Sequence, residues 1–99
     1  MKRVELSRQV ASFIRSRAPE PRQQLRLALR QLAAERGEIK SLEGRLKNYF
    51  RLRVGNYRIV FLYSNSGKII QCIFAERRDL VYELFEQLMH ARLLGRGEE

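Results

Sequence analysis

The middle of the chain carries positive charge that no nearby acidic residue offsets. Residues 44–75 contain six basic side chains and no aspartate or glutamate: Arg45, Lys47, Arg51, Arg53, Arg58 and Lys68. A guanidinium group stays charged at neutral pH and fits phosphate oxygens through paired hydrogen bonds. Fixed positive groups of this kind also stabilise negative charge that develops on a phosphate during a reaction. We therefore expect an anion to bind in this part of the chain.

The composition of the whole chain points the same way. The 99 residues include 20 Lys and Arg against 11 Asp and Glu, which gives a formal net charge of +9. Such a charge favours polyanions or an acidic protein as partners. The single cysteine, Cys72, excludes an intramolecular disulfide, and together with the single histidine, His90, it is too few for a zinc site. We expect no metal and no cofactor.

Length and hydropathy predict a single domain without a membrane-spanning segment. A chain of this size forms one hydrophobic core, so we expect a single domain over residues 1–94, followed by a flexible tail at 95–99. The apolar runs are too short for a transmembrane helix, and the N-terminus lacks the apolar core of a signal peptide. We expect a cytoplasmic protein without a membrane partner.

Hydrophobic periodicity predicts an α+β fold with the element order β-α-α-β-β-β-α. Ser7 is expected to cap the first helix, Pro21 to lie in the first turn of the second helix, and Gly37 to end that helix. The helices are expected on one face of an antiparallel sheet. The predicted strands are 2–6, 49–54, 57–63 and 68–74, and the last helix follows Asp79.

The two central strands form a hairpin whose register can be derived from the sequence. Gly55-Asn56 matches a two-residue type II′ turn, which pairs Arg53 with Arg58. Because side chains alternate across a strand, Arg51, Arg53 and Arg58 share the face away from the core. If residues 64–67 form a four-residue loop, Ile70, Cys72 and Phe74 lie on the core face. Arg77 then has the parity of the arginines.

Like charges directly opposite each other destabilise a sheet by an amount comparable to the ~0.2–1 kcal/mol of a good pair. Such an unfavourable pair, with no acidic residue nearby to compensate it, favours a functional site at which a bound anion supplies the negative charge. Tyr49, Tyr63 and Tyr82 could then stack bases. The alternative is a solvated charged face, or one covered by acidic side chains from elsewhere in the chain.

The hairpin sequence from Tyr49 to Phe61, YFRLRVGNYRIVF, resembles the Y-R-x-R-x-G-D-Y-R-x-x-Y hairpin of RelE/ParE-type toxins. Leu42-Glu43-Gly44 before it is similar to the L-x-G segment of that family. The stretch from Ala75 to Tyr82, AERRDLVY, is similar to the family's G-H-R-x-D-V-Y. The similarity runs from about residue 2 to residue 82.

The resemblance implies a microbial-ribonuclease-like α+β fold and the toxin of a bacterial type II toxin–antitoxin pair, bound to an acidic antitoxin as a hetero-oligomer. RelE-like members are endoribonucleases that block translation by cutting mRNA on the ribosome, through attack of a 2′-hydroxyl. Carried over by position, the catalytic residues are Arg51, Arg53, Arg58, Arg77 and Tyr82. RNA-binding residues are expected at Arg45, Lys47 and Tyr49.

Two further interpretations are compatible with the same residues. ParE-like relatives inhibit DNA gyrase by binding it and have no RNA-cutting site. A degenerate member would only bind its antitoxin and repress their shared promoter. Glu76 occupies a position where the family often has a histidine or basic residue, so it either acts as a base or neutralises Arg77.

Overall fold

The computed structural model describes the backbone of residues 1–97 and the side chains of residues 1–91. The predicted α+β class is confirmed, with one additional strand between the helical hairpin and the central strands. The elements are β1 (Arg3–Leu6), α1 (Arg8–Arg15), α2 (Pro19–Leu32), β2 (Glu38–Ser41), a 3₁₀ turn (Gly44–Leu46), β3 (Phe50–Val54), β4 (Tyr57–Ser64), β5 (Ile69–Arg77) and α3 (Val81–Gly97).

The five strands form one sheet in the order β1-β5-β4-β3-β2. Strands β2 to β5 are antiparallel neighbours, but β1 pairs with β5 in parallel. The predicted antiparallel sheet is confirmed for β2 to β5, and the parallel pairing of β1 is the exception. The helical hairpin of α1 and α2 carries the chain from β1 at one edge of the sheet to β2 at the opposite edge. Strands β1 and β5 are far apart in sequence and are not joined by a tight turn, so they can pair in parallel.

The predicted register of the central hairpin is confirmed at every pair. Phe50 faces Phe61, Leu52 faces Ile59, Arg53 faces Arg58 and Val54 faces Tyr57. Gly55 has φ +58°, which the first central position of a type II′ turn requires and which glycine adopts without steric cost. The turn residues thus set which side chains of β3 and β4 share a face.

A β-bulge interrupts the pairing of β4 with β5. Val60 faces Phe74 and Phe61 faces Cys72, so Ile73 has no partner on β4. One extra residue reverses the facing of every later side chain on that strand. The predicted positions of Phe74 on the core face and of Arg77 on the arginine face are therefore wrong.

The sheet has a hydrophobic cluster on each face. The first lies under α1 and α2, where Leu25 and Leu32 pack against Leu52, Ile59 and Phe61. The second lies under α3 and consists of Leu46, Val60, Phe74, Val81 and Phe85. The expectation that all helices lie on one face is wrong, because the bulge and Val60 give the opposite face an apolar patch that α3 covers.

Local signals at the helix ends are partly confirmed. The Ser7 hydroxyl accepts a hydrogen bond from the Val10 backbone N–H at 3.2 Å, as expected for an N-cap. However, α2 ends at Leu32, and Gly37 does not cap it. With φ +129°, Gly37 leads into β2 instead. Of the expected tail, residues 95–97 belong to α3, and residues 98–99 lie outside the described residues.

Candidate functional site

An open cleft of about 610 Å³ lies on the α3 side of the sheet. Its lining is dominated by four basic side chains, two carboxylates and one tyrosine. They come from β2 and the loop after it, from β3 and β4, and from the segment that leads into α3: Lys40, Ser41, Leu42, Glu43, Arg51, Arg58, Arg78, Asp79 and Tyr82. The cleft brings together three of the predicted catalytic residues, Arg51, Arg58 and Tyr82.

The central hairpin supplies the two arginines at the base of the cleft. Both are half-buried. Arg51 Nη1 donates to the Glu38 carbonyl oxygen at 3.3 Å, and Arg58 Nη1 donates to the carbonyl oxygens of Gly55 and Tyr57, each at 2.9 Å. Among the residues whose side chains are described, neither arginine forms an ion pair with a carboxylate. Backbone carbonyls position these two cations but do not neutralise them.

The electrostatic environment of Arg58 shows the effect of this clustering. Partial burial, followed by the positive charges of Arg53 and Arg51, lowers the pKa of Arg58 below its ordinary value. Arg78 acts in the same direction, and Tyr82 acts against it. A bound anion would relieve this repulsion, so the arrangement favours an anion at this position.

The turn of the central hairpin also positions the segment that follows β5. The backbone N–H of Arg78 donates to the Asn56 carbonyl oxygen at 2.8 Å, and the Leu80 N–H donates to the Arg77 carbonyl oxygen at 3.0 Å. This turn places Arg78 at the cleft and directs the chain into α3. Tyr82 then packs partly against the second hydrophobic cluster while it also lines the cleft.

Two basic residues of the cleft are absent from the predicted catalytic set. Lys40 lies on β2 directly opposite Arg51, and Arg78 stands one position beyond the predicted Arg77. The polar and apolar alternation of Glu38–Ser41 was a strand signal, but it is only four residues long. The shift from Arg77 to Arg78 follows from the bulge at Ile73, which the sequence pattern does not reveal.

Two predicted arginines pair with this chain's own acids. Arg53 Nε lies 3.4 Å from a Glu38 carboxylate oxygen, and Arg77 Nε lies 3.6 Å from an Asp79 carboxylate oxygen. Neither arginine lines the cleft. Glu76 faces Arg58 across the strands, and its carboxylate accepts a hydrogen bond from the Arg77 backbone N–H at 2.9 Å.

The three predicted RNA-binding residues lie outside the cleft. Arg45 borders a separate hollow of about 300 Å³ beside Glu86 and His90, and Lys47 is exposed just after the 3₁₀ turn. The Tyr49 ring packs edge-on against Phe85 at 5.1 Å, and its hydroxyl faces the Met89 sulfur at 3.8 Å. Of the tyrosines considered for stacking, Tyr82 is the one at the cleft.

Tyr63 and Cys72 lie outside the cleft and are held by packing and hydrogen bonds. The Tyr63 hydroxyl donates to the Glu35 carboxylate at 3.0 Å, next to the first hydrophobic cluster. Cys72 is buried, as predicted, and burial raises the pKa of its thiol to about 12.

Among the described residues, no group of three or more His, Cys, Asp and Glu side chains is placed to hold a metal ion. Within residues 1–97, none of the helices combines the length and the hydropathy that a membrane span requires.

The overall fold matches that of known toxin structures. The toxin–antitoxin complex RelBE2 from Mycobacterium tuberculosis aligns with a TM-score of 0.68 at 16% identity, over 78% of this chain and 98% of that one. The isolated RelE toxin of E. coli aligns with a TM-score of 0.62 at 17% identity, over 89% and 99%. This chain has the RelE fold. The YoeB/ParE toxin from Agrobacterium tumefaciens shares it, with a TM-score of 0.64 at 17% identity, over 79% and 99%.

At the level of sequence, neither a family model nor a curated protein matches the chain significantly. The RelE fold is therefore established by three-dimensional similarity, at identities too low to transfer an activity. Four cations and a phenol in the cleft surround a space open to solvent, which suits a phosphate group carrying or gaining negative charge.

Proposed function

We propose that this chain is the toxin of a type II toxin–antitoxin system and that it cleaves mRNA on the ribosome, in the cytoplasm. The observation that carries the proposal is the convergence of Lys40, Arg51, Arg58 and Arg78 with Tyr82 in one cleft. The shared fold of the three toxins described above supports it.

The proposed reaction uses the RNA itself as nucleophile. The 2′-oxygen attacks the neighbouring phosphorus, the bond from phosphorus to the 5′-oxygen breaks, and the products are a 2′,3′-cyclic phosphate and a 5′-hydroxyl. Negative charge grows on the phosphoryl oxygens as the fifth bond forms. Arg51 and Arg58 stabilise this charge, and removal of one such donor typically lowers the rate by about 10²–10³.

The reaction also needs a proton acceptor for the 2′-hydroxyl and a donor for the leaving 5′-oxygen. Arginine is a poor acceptor because its pKa lies above ~12. The Glu43 carboxylate lines the cleft and forms no ion pair within the described side chains, so it is our candidate acceptor. We assign Tyr82 as the donor, because its side chain lines the same cleft and carries a hydroxyl group.

The partner in this proposal is an acidic antitoxin segment that covers the basic surface. Such a segment would supply the carboxylates that Arg51 and Arg58 lack, and so compete with RNA for the same groups. Co-expression with a small acidic protein encoded next to this chain is expected to give a stable complex that does not cleave RNA.

The direct test is expression of the intact chain followed by mapping of mRNA ends by primer extension. The wild-type chain should stop growth and create new 5′ ends in translated mRNA. Arg58→Ala should lower cleavage by about 10²–10³ because one phosphate-stabilising cation is lost. Arg3→Ala, which removes an exposed arginine paired with Glu5 at 3.1 Å, serves as the control and should stay active.

One observation favours the alternative, inhibition of DNA gyrase by binding. Arg53 and Arg77 are neutralised within the chain, which leaves two of the four predicted arginines at the cleft. Intact mRNA combined with loss of plasmid supercoiling would replace cleavage by this mechanism. Intact mRNA, normal supercoiling and normal growth would overturn the toxin proposal altogether.

A further inference from the structure

The helical hairpin carries a second concentration of positive charge, on the opposite face of the sheet from the cleft. Residues 8–32 contain six arginines and a single acidic residue, Glu20. Three of the arginines follow one another at four-residue intervals along α2. We call them the arginine stripe: Arg22, Arg26 and Arg30.

The arginine stripe faces solvent because the other side of α2 forms the core. Leu25, Leu29 and Leu32 are buried against the sheet, whereas Arg26 and Arg30 are exposed and Arg22 is half-buried. Residues four apart lie about 6 Å apart along a helix and on nearly the same face. The stripe is therefore a row of three arginines that follows one side of α2 and winds slowly around it.

This row weakens the helix that carries it. Like charges at four-residue spacing destabilise a helix, and within the described side chains none of the three arginines forms an ion pair. Arg17, by contrast, lies over the Phe13 ring at 4.2 Å and donates to the Phe13 carbonyl oxygen at 3.1 Å. The hairpin thus uses Arg17 for packing, while the stripe has no partner in the described part of the chain.

We propose that the arginine stripe binds the phosphate backbone of double-stranded RNA. An evenly spaced row of cations matches a polymer with evenly spaced charge, and guanidinium groups contact phosphates whatever the base sequence. An acidic protein segment would also need apolar anchors. The exposed apolar residue of α2, Leu27, lies instead in a separate groove with Ala28 and Val54, on the other flank of the helix.

The test measures binding of a blunt RNA duplex that is fully 2′-O-methylated, so that cleavage is chemically impossible. Fluorescence anisotropy gives the affinity at several salt concentrations for the full chain and three double variants. Arg26→Gln/Arg30→Gln removes two charges from the stripe. Arg51→Gln/Arg58→Gln removes two from the cleft, and Arg3→Gln/Lys68→Gln removes two from the sheet edge.

The stripe variant should reduce the slope of log affinity against log salt by about 1.4–1.8, the contribution of two phosphate contacts. The edge variant should leave the slope nearly unchanged. The cleft variant measures separately what the proposed cleavage site contributes, and its effect should be smaller than that of the stripe variant. Equal losses in all three variants would show attraction by net charge alone, and a loss confined to the cleft variant would place the duplex there. Either result, or no binding by the wild-type chain, overturns the proposal.

The inference stands apart from the proposed function because no readout depends on cleavage. A chain that binds the duplex through the stripe but leaves mRNA intact would keep this proposal and lose the other. The stripe variant is also expected to unfold at the same or a higher urea concentration than the wild type, since it removes repulsion from an exposed surface. A binding loss therefore cannot be attributed to unfolding.

Discussion

At the scale of single residues, Tyr82 combines packing with proposed chemistry. Its ring contacts the second hydrophobic cluster, while the side chain also lines the cleft. Tyr82→Phe keeps the ring and removes only the hydroxyl, so the free energy of unfolding should change by less than about 0.5 kcal/mol. If the hydroxyl donates the proton to the leaving oxygen, cleavage should fall by about 10²–10⁴.

The matched control for this prediction is Tyr49→Phe, since the Tyr49 hydroxyl faces Met89 outside the cleft. It should leave cleavage unchanged. Single-turnover cleavage of a programmed ribosome by each purified variant, together with urea unfolding, gives both quantities. Full activity of Tyr82→Phe would reduce this residue to a packing role.

The buried thiol of Cys72 predicts a specific alkaline instability. Burial raises its pKa from 9.0 to about 12, so the unfolded chain loses the thiol proton at a lower pH than the folded chain. The unfolded state then binds fewer protons, and stability should fall with rising pH between 9 and about 12. The expected slope is about 1.4 kcal/mol per pH unit within this window.

Urea unfolding of the wild type and Cys72→Ala across this pH range isolates the contribution of the thiol. Below pH 9 the variant should be less stable because it leaves a cavity, but its alkaline slope should be shallower. Tyr63, whose pKa is also raised by burial and by Glu35, is present in both chains and cancels in the comparison. Parallel slopes would contradict the assignment.

At the scale of elements, the bulged end of β5 depends on one side chain of α1. The Gln9 amide nitrogen donates to the Ala75 carbonyl oxygen at 2.7 Å, and the Gln9 amide oxygen accepts from the Ala75 N–H at 2.8 Å. Strand β1 ends at Leu6, so this glutamine continues the edge where no strand is left to pair. It holds the part of β5 that leads to Arg78.

Gln9→Ala should leave both backbone groups of buried Ala75 without partners and lower stability by about 1–3 kcal/mol. The measurement is urea unfolding, with Gln24→Ala on the exposed surface of α2 as control, expected within about 0.5 kcal/mol of the wild type. Equal effects of the two substitutions would show that the Gln9 hydrogen bonds contribute less to the free energy of unfolding than their geometry indicates.

Some features of the strands could be predicted from the sequence, and others could not. The β3–β4 register was predictable because a two-residue turn with glycine in its first position admits one pairing. The bulge was not, since one extra residue in an apolar run leaves no trace in the alternation before it. The error affected the arginines of the cleft: Arg51 and Arg58 lie on the predicted face of the sheet, while Arg78 lies at the cleft where Arg77 was expected.

Strand β2 was missed for a different reason. Its four residues include one half-buried apolar side chain, Ile39, which is too weak a signal for a strand. Its position depends on Gly37, where an added Cβ would lie 2.8 Å from Leu52 Cδ1. Packing that joins distant positions therefore brings Lys40 to the cleft, and local pattern does not record it.

At the scale of the whole molecule, the excess of cations should make folding depend on ionic strength. The chain has a formal charge of +9, and the screening length falls from about 30 Å at 0.01 M salt to about 8 Å at 0.15 M. The urea midpoint should rise over this range. Arg51→Gln/Arg58→Gln should be more stable at low salt, by about 0.2–1 kcal/mol, and should respond less to added salt.

The control for this prediction removes one charge of each sign. Arg3→Gln/Glu5→Gln deletes an exposed ion pair and leaves the net charge unchanged, so its salt response should follow that of the wild type. If the cleft variant and this control respond alike, the repulsion inferred for Arg58 does not contribute measurably to stability.

The unpaired residue Ile73 also affects how this chain should be compared with others. Before it, the even-numbered positions of β5 face the first hydrophobic cluster, and after it the odd-numbered positions do. An alignment that moves a gap by one place across this point would match each following side chain to the wrong side of the molecule. Insertion or loss of a single amino acid there would change which of two neighbouring arginines lies on the cleft side of the sheet. Evolution could therefore move an arginine into or out of the cleft without replacing it.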